Sequence, residues 1–213
     1  QLTKNMLTWA VGVTVFFGIG AGFTALMSGG SFMSGSMMGD RVDYISWFYG
    51  AVFAMTAATI VSGAVAGRAK LRAYVTYTFL LAAVIYPMVI AFTWSAGSYP
   101  VTAAGELAVA ADAPVATGLV ERITGTAFKD FAGGTIVHAL GGIAGLTAAA
   151  ILGPRMDRYD DTGSLQVIPG HSMTFAVLGT LMLCFGWYGF NVGTAGATAT
   201  GNLNLAVMTT TIA

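Results

Sequence analysis

Asp130 and His138 are the two residues of this chain best placed to do chemistry, and they bracket the stretch DFAGGTIVH. A carboxylate at a helix start can accept backbone N–H groups and favours the positive end of the helix dipole. An imidazole can donate from one ring nitrogen and accept on the other, so it can bond a small polar molecule or relay a proton. At 1.5 Å rise per residue, eight residues carry His138 about 12 Å beyond Asp130, near the middle of a ~30 Å hydrocarbon core. An ionisable side chain at that depth is costly unless it faces a cavity or a partner, so it marks a functional site by default. The plainer reading is a histidine hydrogen-bonded between helices, and for Asp130 it is a helix cap.

Lipid is the setting because of what surrounds these residues. The chain is 56% apolar and 8% charged, against about 25% charged in soluble domains. No Asp, Glu, Lys or Arg occurs in 5–39, 44–67, 73–105, 131–154 or 162–213. Each block exceeds the ~20 residues that cross a bilayer. Soluble globular classes are excluded, since almost no polar face remains to meet water. The single Cys184 rules out a disulfide framework within the chain. No nucleophile constellation, P-loop or metal-ligand cluster is present in the sequence. No enzymatic activity and no cofactor is expected.

The blocks predict helices at 6–28, 45–66, 72–94, 130–153 and 172–192, with a sixth starting near 202. The fold class is all-α, a polytopic transmembrane bundle. Gly18, Gly20 and Gly22, and Gly141, Gly142 and Gly145, are read as helix-packing positions, because small residues let backbones approach closely in lipid. The connections alternate sides. One side carries Lys4, Arg68, Lys70, Arg72, Arg155 and Arg158, and the other Arg41, Arg122 and Lys129. Basic residues accumulate in the cytoplasm, so the first side is inner. Asp40, Asp43, Glu106, Asp112, Glu121 and Asp130 fall on the outer side, an acidic balance that modestly favours a cationic solute. Residues 95–129 are expected to form an extracellular loop. The chain opens without Met, shows no signal peptide and stops at TTTIA, too soon after Asn204 for another crossing. The expectation is a segment of a longer membrane protein.

Three stretches carry a resemblance. DFAGGTIVHALGGIAGLTAAAILGPR at 130–155, FGWYGFNVGTAG at 185–196 and FAMTAATIVSGAVAGR at 53–68 resemble the fifth-, sixth- and third-helix signatures of the ammonium transporter (Amt/Mep/Rh) superfamily, in its ammonium transporter branch. The likeness covers nearly the whole chain. It implies that residues 1–213 are part of a single transmembrane ammonium transporter domain, spanning about helices 2 to 7 of an inverted-repeat fold. It further implies a multi-pass protein of the plasma membrane and a homotrimer with one pore per subunit. The expected substrate is ammonium or ammonia, with methylammonium as analogue, and the expected partners are the lipid bilayer and a cytoplasmic regulatory protein of the PII kind. No nucleic acid is expected.

Residue by residue, the resemblance places Phe53, fifteen positions before Arg68, as the outer pore phenylalanine. Trp94 in YPMVIAFTW matches the recruitment-site tryptophan, and Phe190 in WYGFN the inner gate. Thr194 falls where the family usually has serine in the outer vestibule; it keeps a hydroxyl and adds a methyl. His138 matches the first of two pore histidines, and Asp130 the aspartate near the recruitment site. The second pore histidine is not in this chain, and His171 in PGHS lies beside the inner loop and cannot replace it.

The chemistry suits those positions. Aromatic faces attract a cation that has shed water, at ~0.5–2 kcal/mol each, so Phe53 and Trp94 would form a cage, with the Thr194 hydroxyl accepting one N–H. Deeper in the pore a full charge is too expensive, and the ion must lose or share its proton. Two other functions compete. The same fold can serve as an ammonium sensor signalling through a cytoplasmic tail. A haem- or quinone-binding membrane enzyme would use His138 as a ligand, although bis-histidine ligation needs a second membrane histidine.

Overall fold

The computed structural model describes residues 2–27, 31–32, 44–94, 119–126, 128, 130, 132–196 and 202–213. Their regular structure is helical, apart from an isolated antiparallel bridge between Tyr159 and Leu165. We number the helices α1 (Leu2–Met27), α2 (Tyr44–Ala64), α3 (Leu71–Thr93), α4 (Leu119–Thr124), α5 (Gly134–Leu152), α6 (Met173–Gly196) and α7 (Leu203–Ile212). Among the described residues α1, α3, α5 and α6 are each long and apolar enough to cross a membrane. The all-α polytopic bundle expected from the sequence is therefore the fold observed. Most of the expected outer loop, 95–118, lies outside the described residues.

The chain forms two compact units, Gln1–Gly153 and Pro154–Ala213. In the first, α2 is central and packs against α1, α3 and α5. Its Ala51, Phe53, Ala54, Ala57, Ala58 and Val61 are all buried. Small residues make this possible. A Cβ placed on Gly141 of α5 would lie 2.8 Å from Ile60 Cβ and 2.9 Å from the Ala57 carbonyl oxygen, and one on Gly145 would lie 3.3 Å from Ala64 Cβ. No larger residue fits at Gly141 without moving backbone. Gly142 faces open space, so only two of the three glycines expected to pack along α5 do so. Between α1 and α3, Gly20 lies against the Ala82 carbonyl, with the Phe16 and Tyr86 rings edge to face at 6.1 Å beside them.

Several threonines inside the spans are satisfied locally, as a medium without water requires. Thr24, Thr56, Thr78 and Thr93 each donate to the carbonyl four residues back, at 2.6–3.0 Å. Thr8 does the same at 2.9 Å and also pairs with the Tyr74 hydroxyl. At one end of this unit Arg68 closes the bundle. Its Nε and Nη2 donate to Ala64 O at 3.0 and 2.6 Å, and its Nη1 donates to Gly153 O. The last carbonyls of α2 and the residue that ends α5 are thereby tied together.

Each spanning helix also contains a π turn: Phe16–Gly20, Leu81–Ile85, Gly134–Ala139 and Tyr188–Val192. Such turns widen the helix by one residue and rotate everything that follows.

In the second unit, α6 begins at Ser172, whose hydroxyl accepts from Phe175 N at 3.4 Å, and α7 begins at Asn202, whose side chain accepts from Leu205 N at 3.0 Å. Phe175 and Phe185 of α6 are 68% and 82% exposed, a surface suited to lipid or further helices and not to water. A hairpin precedes α6. The Asp160 carboxylate organises it, accepting from Thr162 Oγ1 at 2.6 Å, Thr162 N at 2.9 Å, Ser164 N at 2.8 Å and Gln166 Nε2 at 2.8 Å. The Thr162 hydroxyl above all, and then the Ser164 amide, hold its carboxyl below the usual carboxylate range.

Candidate functional site

The start of α5 is built differently from an ordinary helix end. The sequence expectation put the first residue at Asp130, whereas the helix begins at Gly134. Asp130 stands off from the helix and caps it across a gap. Its Oδ1 accepts from Gly134 N at 2.8 Å, and its Oδ2 accepts from Thr135 N at 2.8 Å and Ile136 N at 3.0 Å. Three of the orphan donors of the first turn are thus satisfied by one anion.

Gly133 makes the gap possible. Its φ is +76°, in the left-handed region, which a side chain rarely adopts. A Cβ there would also meet Val137 Cγ2 at 2.6 Å and lie 3.6 Å from Phe53 Cδ1. The Gly133 carbonyl accepts from Val137 N at 2.9 Å and from His138 N at 3.0 Å. The second of these is the wide π bond, so His138 sits inside the π turn.

His138 also brings Nδ1 to 3.3 Å from the same Gly133 oxygen. A carbonyl oxygen only accepts, so this contact is a hydrogen bond when Nδ1 carries the proton. Nε2 is then the basic nitrogen. The histidine is exposed, while Ile136 and Val137 beside it are fully buried.

The aromatic residues gather above this turn. Phe53 is 1% exposed, and its ring meets Trp94 edge-on, centroids 6.0 Å apart at 86°. Tyr49, one turn earlier on α2, tilts against Phe53 at 5.8 Å. Trp94 ends α3, is half-buried, and donates its backbone N–H to Ile90 O at 2.8 Å. Phe53, Trp94, Asp130 and His138 are thus all in the first unit, with Phe53 in ring contact with Trp94 and its Cδ1 3.6 Å from where a Cβ on Gly133 would lie. Gly133 and Tyr49 were not singled out from the sequence. Tyr49 carries a readable signal, an aromatic four residues before Phe53 on a helix; nothing in the glycine pair at 133 and 134 says which one is left-handed.

Phe190 and Thr194 belong to the second unit. Thr194 is fully buried and donates its hydroxyl to Phe190 O at 2.5 Å. Its lone pairs remain able to accept. Phe190 lies in the π turn Tyr188–Val192, which is braced on α7 by Tyr188 Oη to Thr211 Oγ1 at 2.8 Å and by Asn191 Nδ2 to Thr210 Oγ1 at 3.3 Å. His171 is exposed in the segment before α6. Among the described residues no group of His, Cys, Asp and Glu could hold a metal ion.

The family model of the Ammonium Transporter Family matches residues 1–213. The chain belongs to the ammonium transporter family. It is 53% identical over 209 residues to the ammonium transporter Amt2 of Haloferax mediterranei, covering 92% of this chain and 41% of that protein. It is 39% identical over 201 residues to the ammonium transporter Amt2 of Archaeoglobus fulgidus, covering 90% and 39%. To ammonium transporter 1 member 1 of Solanum lycopersicum it is 35% identical over 198 residues, covering 90% and 38%. The chain spans about two-fifths of the length of these relatives. No solved structure matches it. Family membership and the long apolar helices together make it an integral, multi-pass membrane protein.

Proposed function

We propose that this protein moves ammonium or ammonia across the plasma membrane. The observation that carries the reading is the turn 130–138, in a chain of the ammonium transporter family. A capped, π-wound helix start carries a histidine in a span with no other ionisable residue, and α2, which holds Phe53 of the aromatic pair, packs on that turn.

Each residue then has a role. Trp94, half-buried at the end of α3, offers an aromatic face to an arriving cation, and Phe53 backs it from within the bundle. Thr194, in the second unit, is assigned to the vestibule by family likeness alone; its hydroxyl, already donating to its own helix, keeps lone pairs that suit an N–H of the ion. Asp130 adds negative potential at the outer end of α5 while holding the first turn in place. Phe190, in the second unit, is assigned the inner gate by family likeness alone. His138 meets the substrate where a full charge is no longer tolerated. With Nδ1–H directed to Gly133 O, Nε2 takes the proton that ammonium gives up. The result is ammonia and an imidazolium, which returns to neutral when the proton passes on.

A homotrimer and a PII-like regulator on the inner face complete the proposal and rest on family likeness alone. The experiment is uptake of labelled methylammonium by cells lacking their own transporters. Saturable uptake that ammonium competes away supports the reading; an expressed, membrane-inserted protein giving no uptake above the empty-vector control contradicts it.

A further inference from the structure

The buried face of α3 changes register halfway along the helix. At 3.6 residues per turn, the positions stacked above Tyr74 are about 78, 81, 85, 88 and 92. Thr78 and Leu81 are buried as that spacing requires, but Ile85, Met88 and Phe92 are 41%, 46% and 49% exposed. Beyond the π turn Leu81–Ile85 the buried residues are Tyr86, Pro87, Ile90 and Ala91 instead. A π turn takes up one more residue than an α turn, so it carries every later side chain about 100° back around the helix axis. Trp94 is the last of these. Its place on the face that meets Phe53, with ring centroids 6.0 Å apart, depends on that extra residue.

Pro87 explains why the turn is there. A proline inside a helix has no N–H to donate, and its ring clashes with the carbonyl four residues back, here that of Ala83. Tyr86 donates its N–H to Leu81 O, five residues back. The next amide along the chain would serve Ala82 in the π register or Ala83 in the α register, and proline supplies neither. A span absorbs such a loss through a kink or a local π adjustment. Pro87 is fully buried, and α1 comes close to one of the two carbonyls: a Cβ on Gly20 would collide with Ala82 O. A residue without a side chain can approach that oxygen closely enough for a weak Cα–H···O contact. An alanine at position 87 would restore the missing donor and let α3 run on as a regular helix.

We propose that Pro87 is a positioning residue for the cation site: it holds the extra residue in α3 and thereby turns Trp94, seven residues further on, onto Phe53. Pro87 touches no substrate. The inference rests on the recruitment role given to Trp94 above and extends it to the residue that aims the indole.

The test joins Pro87→Ala and Trp94→Ala in a double-mutant cycle, read by uptake of labelled methylammonium per inserted protein. Pro87→Ala alone should raise the half-saturation concentration as Trp94→Ala does, roughly 2- to 30-fold, with the maximal rate nearly unchanged. The double variant should be no worse than the weaker single one, because an indole already turned away has nothing left to lose. A lower maximal rate at wild-type half-saturation, or two effects that multiply, would overturn the proposal. The geometry is read apart from transport by the emission of Trp94, taken as the difference between each purified protein and its Trp94→Phe counterpart. That difference spectrum should shift in Pro87→Ala, and an unshifted one overturns the positioning role. A shifted spectrum with normal half-saturation in Trp94→Ala would support the placement by Pro87 and sink the recruitment role of Trp94. Loss of assembly in both Pro87→Ala and Pro87→Gly would make Pro87 a residue of folding and overturn the proposal.

Discussion

Trp94 and Thr194 separate attraction from shape. Trp94 is half-buried and ends its helix, and its ring contact is with Phe53 of α2, so its removal leaves the seam between α2 and α5 in place. If its face draws the cation, Trp94→Ala raises the half-saturation concentration for methylammonium roughly 2- to 30-fold, the span of ~0.5–2 kcal/mol for a cation over an aromatic ring. Protein levels in the membrane should not change. Thr194 is fully buried and its hydroxyl donates to Phe190 O. Val has nearly the same shape without the oxygen, and Ser keeps the oxygen in a smaller side chain. We expect Thr194→Ser to transport almost normally and Thr194→Val to be clearly slower, in the same uptake assay. Equal rates for Val and wild type would remove the hydroxyl from the path.

The seam between α2 and α5 lets glycines in one helix be compared directly. A side chain at Gly141 collides with Ile60 and the Ala57 carbonyl, whereas Gly142 faces open space. Gly141→Leu should destabilise by at least about 1–3 kcal/mol, and Gly142→Ala should stay within about 0.5 kcal/mol of wild type. Thermal unfolding in detergent measures both. The hairpin before α6 gives a pH test outside the membrane. The Asp160 carboxyl is held below its ordinary value, chiefly by the Thr162 hydroxyl. Its contribution is therefore complete above the unfolded value of about 3.9 and is lost as pH falls through the lower folded one. Amide exchange at Thr162 and Ser164 should stay slow down to that range and speed up below it. Asp160→Asn should exchange fast at every pH.

Elements of this kind are partly visible in a sequence. The spans show because charges stop where lipid begins, and observed ends such as Ala64, Leu71, Leu152 and Met173 fall within two residues of those expected. The start of α5 was misplaced by four residues. A carboxylate preceding a helix usually caps it directly, and only the left-handed Gly133 lets Asp130 reach the first turn from outside it. Three of the four π turns leave no compositional trace, since each is a shift in hydrogen-bond register within an ordinary apolar run. His138 stands out by its depth alone. Phe53 and Trp94, aromatics like any other in a membrane helix, gain their meaning from the motifs around them.

At the scale of the whole molecule, the family accounts for the architecture, and the proposed use rests on the turn 130–138. The helices around α2 are closely packed through small residues, so the backbone that carries His138 is held by Asp130 at one end and by the α2–α5 seam along its length. His138 itself contributes little to this packing, because it is exposed while its neighbours Ile136 and Val137 are buried. His138→Leu should therefore fold and assemble as wild type does. His138→Asp should keep a proton acceptor and retain some current, with altered selectivity against potassium. The most direct measurement is the ammonium-evoked current of the protein reconstituted in liposomes, wild type beside His138→Leu, with assembly checked by size-exclusion chromatography. A selective current in wild type that is lost or redirected in an intact His138→Leu protein is the expected result; a normal selective current through that variant would contradict the role of His138, and failure of the variant to assemble would make this histidine a structural residue.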